Sequence, residues 1–267
     1  MQKFNYHTHT YRCKHSDQSI SDEEYVRMFI EKGFKKIAFT DHCPHKQEID
    51  FRNDMRMDYS QKEDYYNSIK NLKDKYKDCI DIEVGFEVEY LPELEEYLKQ
   101  LKIETDRLIL GQHFVRTHDN KGIKIIGWDK TDDEALMDYA NCVEESIRKG
   151  IPDVIAHPDL FMMDRKSFGK LEKEATNIIA KAAEKYQIPL EINLSRAVAY
   201  SLGKTNRVEY PCKEFWEVVS NYNVKVIYGV DAHFRFQIDL YNEAVEVAKN
   251  VIGKDVIKKL NFVDENL

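Results

Sequence analysis

The sequence predicts an α/β fold closed into a TIM-like barrel of seven strands and seven helices, (β/α)7, as one domain over residues 1–267. Three observations carry this. Seven short apolar runs, at residues 3–9, 35–40, 82–88, 107–112, 153–157, 188–194 and 224–230, alternate with helical patterns. The runs are apolar on both faces, as strands of a parallel sheet covered by helices must be. Each run also ends in a candidate ligand or a polar side chain. An open sheet would spread those ends along a crest, whereas a closed barrel gathers them at one mouth.

Taken in order, residues 3–9 carry His7 and His9, whose spacing of two puts both rings on one face of a strand. SDEEYVRMFIEKG at 21–33 reads as a helix with a Ser21 cap, acids in its first turn and a closing Gly33. The run 35–40 leads into Asp41 and His42, and helical periodicity resumes over 61–77. Residues 82–88 hold Glu87, with Glu89 two positions on as a competitor on the same face. A helix over 94–101 precedes the run 107–112, which delivers His113, and 124–128 suggests a short extra strand in the loop beyond it. The helix 132–149 leads to 153–157, ending in His157 before Pro158. The helix 171–186 leads to 188–194, with Glu191 and Asn193, and the helix 213–221 to 224–230. That last run opens into Asp231 and His233, again two apart, ahead of a helix over 239–251.

Composition narrows the function. With 42% hydrophobic and 33% charged residues the chain has the make-up of a soluble globular protein, without low-complexity stretches or repeats. A net charge of −8 argues against a sequence-independent nucleic-acid binder. Cysteines 13, 43, 79, 142 and 212 are odd in number and scattered, which fits a reducing compartment rather than a disulfide framework. The start lacks the apolar core of a signal peptide and no stretch is long enough to span a membrane, so the expectation is a cytoplasmic protein.

Imidazoles and carboxylates together are the ligand set of a hydrolytic centre for zinc, iron or manganese. His7, His9, His15, His42, Glu87, His113, His157, Asp231 and His233 form that set, and they take seven of the nine histidines. Each alone has a plain explanation: a satisfied histidine, a salt-bridged aspartate, an exposed loop imidazole for His15. Their joint delivery to one mouth is hard to obtain from packing alone. Asp41 either orients a ligating imidazole or caps the next turn, and His45 and His118 fit no strand end.

These motifs in this order resemble the PHP family, named for its polymerase and histidinol phosphatase members. The resemblance runs from HTHT through RCKH, FTDH, GFE, GQHF, AHPD and EIN to DAH, almost the whole chain, and looks most like the monofunctional histidinol-phosphate phosphatases. It implies a distorted (β/α)7 barrel with three divalent metal ions, Zn, Mn or Fe. One ion would take His7, His9, Glu87 and Asp231, and a second Glu87, His113 and His157. The third would take His15, His42 and His233. The implied reaction is hydrolysis of L-histidinol phosphate, a small-molecule phosphate monoester, by a metal-bridging hydroxide, with Asp231 or His233 serving the leaving group through water. Arg196, Arg207 and Arg165, in that order, are the candidates for binding the phosphate. Departures from the family are Val230 before the final aspartate and a long stretch, 196–207, after EIN. Competing expectations are a relative acting on nucleoside phosphates or oligonucleotide ends, a metal-dependent amide or lactone hydrolase, and a binding module without turnover.

Overall fold

The computed structural model describes residues 2–45, 54–117 and 122–263, so His118 lies outside the described residues. Ten strands form: β1 (Phe4–Asn5), β2 (Lys36–His42), β3 (Asp81–Val88), β4 (Arg107–Leu110), β5 (Phe114–Arg116), β6 (Ile123–Ile125), β7 (Val154–Ile155), β8 (Leu190–Asn193), β9 (Lys225–Gly229) and β10 (Asn261–Phe262). Eight of them make one parallel sheet in the order β1-β2-β3-β4-β7-β8-β9-β10. The sheet curls until its first strand meets its seventh. Thr8 bridges to Ala232, with the amide of His9 donating to the carbonyl of Ala232 at 2.9 Å.

Below that bridge the two strands have no ladder, and side chains span the gap. The Gln2 amide group accepts from the Tyr228 amide at 2.9 Å and donates to its carbonyl at 2.6 Å. Asn5 Oδ1 accepts from the Val230 amide at 2.9 Å. The edge this leaves on β9 is taken by β10, whose Asn261 and Phe262 pair with Lys225 and Val226. The seven predicted runs thus form a distorted barrel, and an eighth strand that no periodicity announced completes its lower edge.

Among the described residues ten helices flank the sheet: α1 (Asp22–Glu31), α2 (Lys62–Tyr76), α3 (Glu95–Glu104), α4 (Asp133–Arg148), α5 (Lys170–Tyr186), α6 (Ser195–Ser201), α7 (Lys213–Val219), α8 (Arg235–Asp239), α9 (Tyr241–Ile252) and α10 (Lys254–Ile257). The Ser21 signal is a full capping box: its hydroxyl accepts from the Glu24 amide while Glu24 accepts from the Ser21 amide. The long stretch 196–207 after EIN carries most of α6. The extra strand expected at 124–128 is β6, the second arm of an antiparallel hairpin with β5. No helix among the described residues is long and apolar enough to cross a membrane.

Apolar side chains fill two layers. The larger lies between sheet and helices and holds Phe29, Phe39, Tyr65, Phe86, Tyr139 and Trp216, all fully buried. Each such side chain contributes about 1.5–3 kcal/mol of burial. The smaller fills the lower barrel interior with Phe4, Tyr6, Ala38, Ile109, Val154, Ala156 and Ile227. Alternation along the strands puts Thr40 and His42 above Ala38, and Gly229 and Asp231 above Ile227, so this apolar layer is the floor of the site.

Candidate metal centre

Glu87 is the hub. Parallel pairing of β2 and β3 sets His42 opposite it. Glu87 Oε1 lies 2.9 Å from His157 Nε2 and 3.6 Å from His113 Nε2. Its Oε2 lies 3.3 Å from His7 Nε2, 3.5 Å from His9 Nε2 and 3.0 Å from His42 Nδ1. Asp231 faces the same pair of rings, with Oδ1 3.4 Å from His7 Nε2 and 3.3 Å from His9 Nε2. At the outer side, His233 stacks on His9 at 3.8 Å between centroids and stands 4.3 Å from His15, which is 5.3 Å from His42. All nine predicted side chains therefore come together.

The backbone is shaped for this. His157 (φ 31°) and Asp231 (φ 52°) both adopt the left-handed region, at a cost of about 1–3 kcal/mol each. The second turn is held open by Gln237, which accepts from the amides of His233 and Phe234 at 2.7 and 2.8 Å and donates to the Asp231 carbonyl at 2.8 Å. Two glycines make room for carboxylates. A Cβ on Gly111 would sit 1.9 Å from Glu87 Oε1, and one on Gly229 would sit 1.6 Å from Glu191 Oε1.

Three further carboxylates orient the rings from behind, and only Asp41 was read that way from the sequence. Glu191 holds His7 Nδ1 at 2.9 Å and accepts from the His157 amide at 3.0 Å. Glu89, the competitor of Glu87, is instead paired with buried Arg56 at 3.1 Å and holds His113 Nδ1 at 3.1 Å. Asp41 Oδ1 lies 3.7 Å from His9 Nδ1, and its two oxygens accept from the amide and hydroxyl of Thr10. The signal that could have found Glu191 was its place at a strand end. Nothing local announced Arg56, which reaches Glu89 from a loop.

Burial alone would raise the Glu87 carboxyl, but His42, His7 and His113 outweigh it and hold it well below the usual range. Asp231 behaves likewise, with His7 and His233 overcoming burial. Burial, reinforced by His233, brings His9 down to about 3, and burial also pushes His42 well below its ordinary value. Burial opposes charge on His7, yet Glu191, Asp231 and Glu87 together raise it well above the ordinary value. The centre thus pairs ionised carboxylates with neutral rings at His9 and His42, and at His7 the surrounding carboxylates draw positive charge to its middle.

Whether these residues suit a metal can be tested on their own hydrogen bonding. His7 Nε2, both nitrogens of His9, His42 Nδ1, Glu87 Oε2, His157 Nδ1 and His233 Nε2 are buried with no hydrogen-bond partner among the described residues. A buried polar atom left unsatisfied costs about 1–3 kcal/mol, and folded proteins keep few of them. Here they cluster and point at one another. Donor atoms of His7, His9 and Glu87 lie within 4.8 Å of each other, as do those of Glu87, His113 and His157, and those of His9, Cys13, His42 and His233. Divalent cations satisfy such atoms, so the donor set fits metal. Cys13 Sγ already donates to the Met55 carbonyl at 3.0 Å.

The centre forms the inner wall of a cleft of about 400 Å³ also lined by Met55, Ile125, Trp128, Arg196, Tyr210 and Phe234. Of the three arginines, Arg196 alone lines it, with Nε donating to Glu209 at 2.7 Å. Arg165 is turned to Glu172, Asp133 and the Thr131 carbonyl. Arg207 is over half exposed and reaches only the Met163 carbonyl and Glu209. Of the three candidates, the cleft lining therefore favours Arg196 for the phosphate role.

A barrel mouth lined with metal-ready imidazoles and carboxylates defines a metal-dependent hydrolase. The chain belongs to the PHP family, whose domain profile matches residues 5–195. It is 25% identical over 97% of its length, and 89% of the relative's, to a protein of Schizosaccharomyces pombe named "Probable histidinol-phosphatase". A protein of the same name from Deinococcus radiodurans is 24% identical, with 94% of each chain covered. The fold matches that of a histidinol phosphate phosphatase from Lactococcus lactis, solved with zinc, L-histidinol and phosphate, at a TM-score of 0.66. Identity to that protein is 19%, over 94% of both chains.

Proposed function

We propose that this chain is a histidinol-phosphatase, a phosphoric monoester hydrolase of histidine biosynthesis that cleaves L-histidinol phosphate to L-histidinol and phosphate. One observation carries the reading: the candidate ligands converge at the inner end of a small-molecule cleft, with donor atoms of His7 and His9, and of His113 and His157, grouped on Glu87, and those of His42 and His233 grouped with His9. His7, His9, Glu87 and Asp231 would hold one divalent ion, Glu87, His113 and His157 a second, and His15, His42 and His233 a third. Zinc, manganese and iron all suit this set. Bound there, the ions neutralise phosphoryl oxygens and lower the pKa of water, the terms a slow monoester hydrolysis needs most.

The chain's own residues do the rest. Arg196 lies where its guanidinium can bind a phosphate bidentately, and Glu209 fixes its direction. Asp231 and His233, 3.2 Å apart, stand where one of them would deliver, through water, the proton released by the attacking water to the ester oxygen as the P–O bond breaks. The apolar floor beneath Glu87 keeps water from the back of the site. The protein works as one domain in the cytoplasm.

The experiment is phosphate release from L-histidinol phosphate by metal-reconstituted protein, run beside a nucleotide panel, a cyclic amide and a chelator-stripped control. Metal-dependent turnover with kcat/KM far above the other esters is the expected result. Turnover of nucleotides alone keeps the metal centre and discards the histidine assignment. Turnover of the amide alone discards phosphatase chemistry, and tight metal binding without turnover of any substrate discards catalysis.

A further inference from the structure

The cleft has two unlike ends. Its inner end is the histidine and carboxylate cluster with Arg196, and its outer end is apolar, with Met55, Ile125, Leu160 and Met163. Two aromatic side chains at that outer end are left open to solvent: Trp128 is 54% exposed and Phe234 is 36% exposed. Singly exposed apolar side chains are ordinary on a protein surface, and what sets this pair apart is that both line one cleft. The other exposed large apolar residues, such as Ile103 and Tyr200, do not line the cleft.

Both rings are presented on pinned backbone. Trp128 follows β6, in a turn where the Ile125 amide donates to Asp129 Oδ2 at 2.9 Å and the Asp129 amide donates to the Ile125 carbonyl at 3.0 Å. The Gly127 amide donates to Thr131 Oγ1 at 3.1 Å, closing the same turn. Phe234 is held through its amide by Gln237 and lies parallel to Phe236, 5.3 Å between centroids. The hairpin β5–β6 departs from the barrel between β4 and α4 and carries Trp128 to the mouth. A rigid backbone supporting an exposed ring is the arrangement of a binding surface, where ordering costs little on association.

We propose that Trp128 and Phe234 form the subsite for a flat ring in the alcohol half of the substrate, so that this chain selects phosphate monoesters of ring-bearing alcohols. The proposal rests on the phosphatase reading given above. With the phosphate anchored at Arg196 and the donor cluster, the alcohol half points outward along the cleft and meets these two aromatics. Flat heteroaromatic rings stack on indole and phenyl faces, and a protonated imidazole gains a cation–π attraction there. Trp128 is thereby a specificity-determining residue and takes no part in the chemistry.

The test compares L-histidinol phosphate with the same ester lacking its ring, 2-aminopropyl phosphate, on wild-type protein, Trp128→Ala and Trp128→Phe. For Trp128→Ala we expect kcat/KM on the ring ester to fall about tenfold, through KM, with the ringless ester unchanged. Trp128→Phe should recover most of the loss. An equal fall on both esters, or no fall on the ring ester, overturns the proposal. If wild-type protein does not hydrolyse L-histidinol phosphate, the same ratio is read between phenylalaninol phosphate and 2-aminopropyl phosphate. The subsite then stands or falls apart from the histidine assignment.

A binding readout needs no turnover. The chain has two tryptophans, and the other, Trp216, is fully buried. Emission of the wild-type protein should shift to the blue when L-histidinol and inorganic phosphate are added, and Trp128→Phe should abolish the shift. No shift in the wild type counts against the subsite.

Discussion

The two ends of the barrel interior are built from the same strands under opposite rules. At the lower end Phe4, Tyr6, Ala38, Ile109, Val154, Ala156 and Ile227 close on one another, and the nearby charges of Lys36, Glu83 and Arg107 are matched. Lys36 pairs with Glu83 at 2.7 Å, Glu83 also takes Arg107, and Arg107 lies 3.6 Å from the Tyr6 ring centroid. At the upper end seven buried nitrogen and oxygen atoms of the candidate ligands have no hydrogen-bond partner among the described residues. The fold can therefore satisfy buried charge where stability is the task. Its failure to do so at the mouth is a property of the site, and the missing partners are cations.

The contrast breaks most sharply at Glu87, which all the inner rings face. Glu87→Gln should cost metal content and at least about a thousandfold in kcat, since each lost ion removes several kcal/mol of transition-state stabilisation. Elemental analysis, kinetics and thermal melting check this together. The melting temperature of the chelator-stripped variant should fall below that of stripped wild type near neutrality, because His42, His7 and His113 favour the ionised Glu87 carboxyl and that stabilisation leaves with the charge. Retained full activity would falsify the central role of Glu87.

At the other end the outcome inverts. Ile227→Ala should cost about 2–5 kcal/mol of stability by opening a cavity in the apolar floor. Metal per chain and kcat should stay near wild type, as denaturant titration beside metal analysis would show. A variant that loses metal at full stability would mean that the two ends are not separable.

A smaller effect is expected one layer behind the ligands. Glu191→Gln weakens the hold on His7 Nδ1 and should lower metal affinity about 10–100-fold while the ligands remain. Competition with a chelator of known affinity measures it, and unchanged affinity would reduce Glu191 to a packing role.

The smallest effect is a pH dependence of the stripped protein. Burial would raise the Glu89 carboxyl, but Arg56 and His113 outweigh it and bring it down to about 2, below its ordinary value of 4.5. The unfolded chain therefore binds the proton first as the medium is acidified. The stabilisation from Glu89 is fully present above about pH 4.5 and is lost as pH falls toward 2. The melting-temperature gap between wild type and Glu89→Gln should be flat near neutrality and narrow below that value. A gap that does not depend on pH would disconnect Glu89 from the Arg56 charge.

Much of this was legible in the chain. The alternation gave the barrel because burial on both faces leaves strands an apolar signature, and strand-end histidines stand out against it. Ser21 and Gly33 marked α1 because caps act within a few residues. What escaped notice depends on distant partners. Strand β10 is two residues long and exists because β9 has a free lower edge. The helix α6 was not assigned from the sequence because nothing in residues 195–201 carries a strong cap signal. Glu87 and Glu89 are equal in the sequence, and only Arg56, arriving from another loop, makes one a hub and the other a support. The sequence ranked Arg196 ahead of Arg207 and Arg165 by its nearness to a strand end, and the fold places Arg196 on the cleft while Arg165 turns to Glu172, Asp133 and the Thr131 carbonyl.

The sequence by itself determined the order of the strands, the kind of side chain at each strand end and the chemistry that such a set can perform. Those follow from local periodicity and from residue type, which the chain carries in one dimension. Tertiary structure alone decided which carboxylate faces all the rings, which polar atoms are left without partners and which arginine reaches the cleft. Each of those is a distance between residues far apart in the chain, and closing the sheet at Thr8 and Ala232 is what sets them.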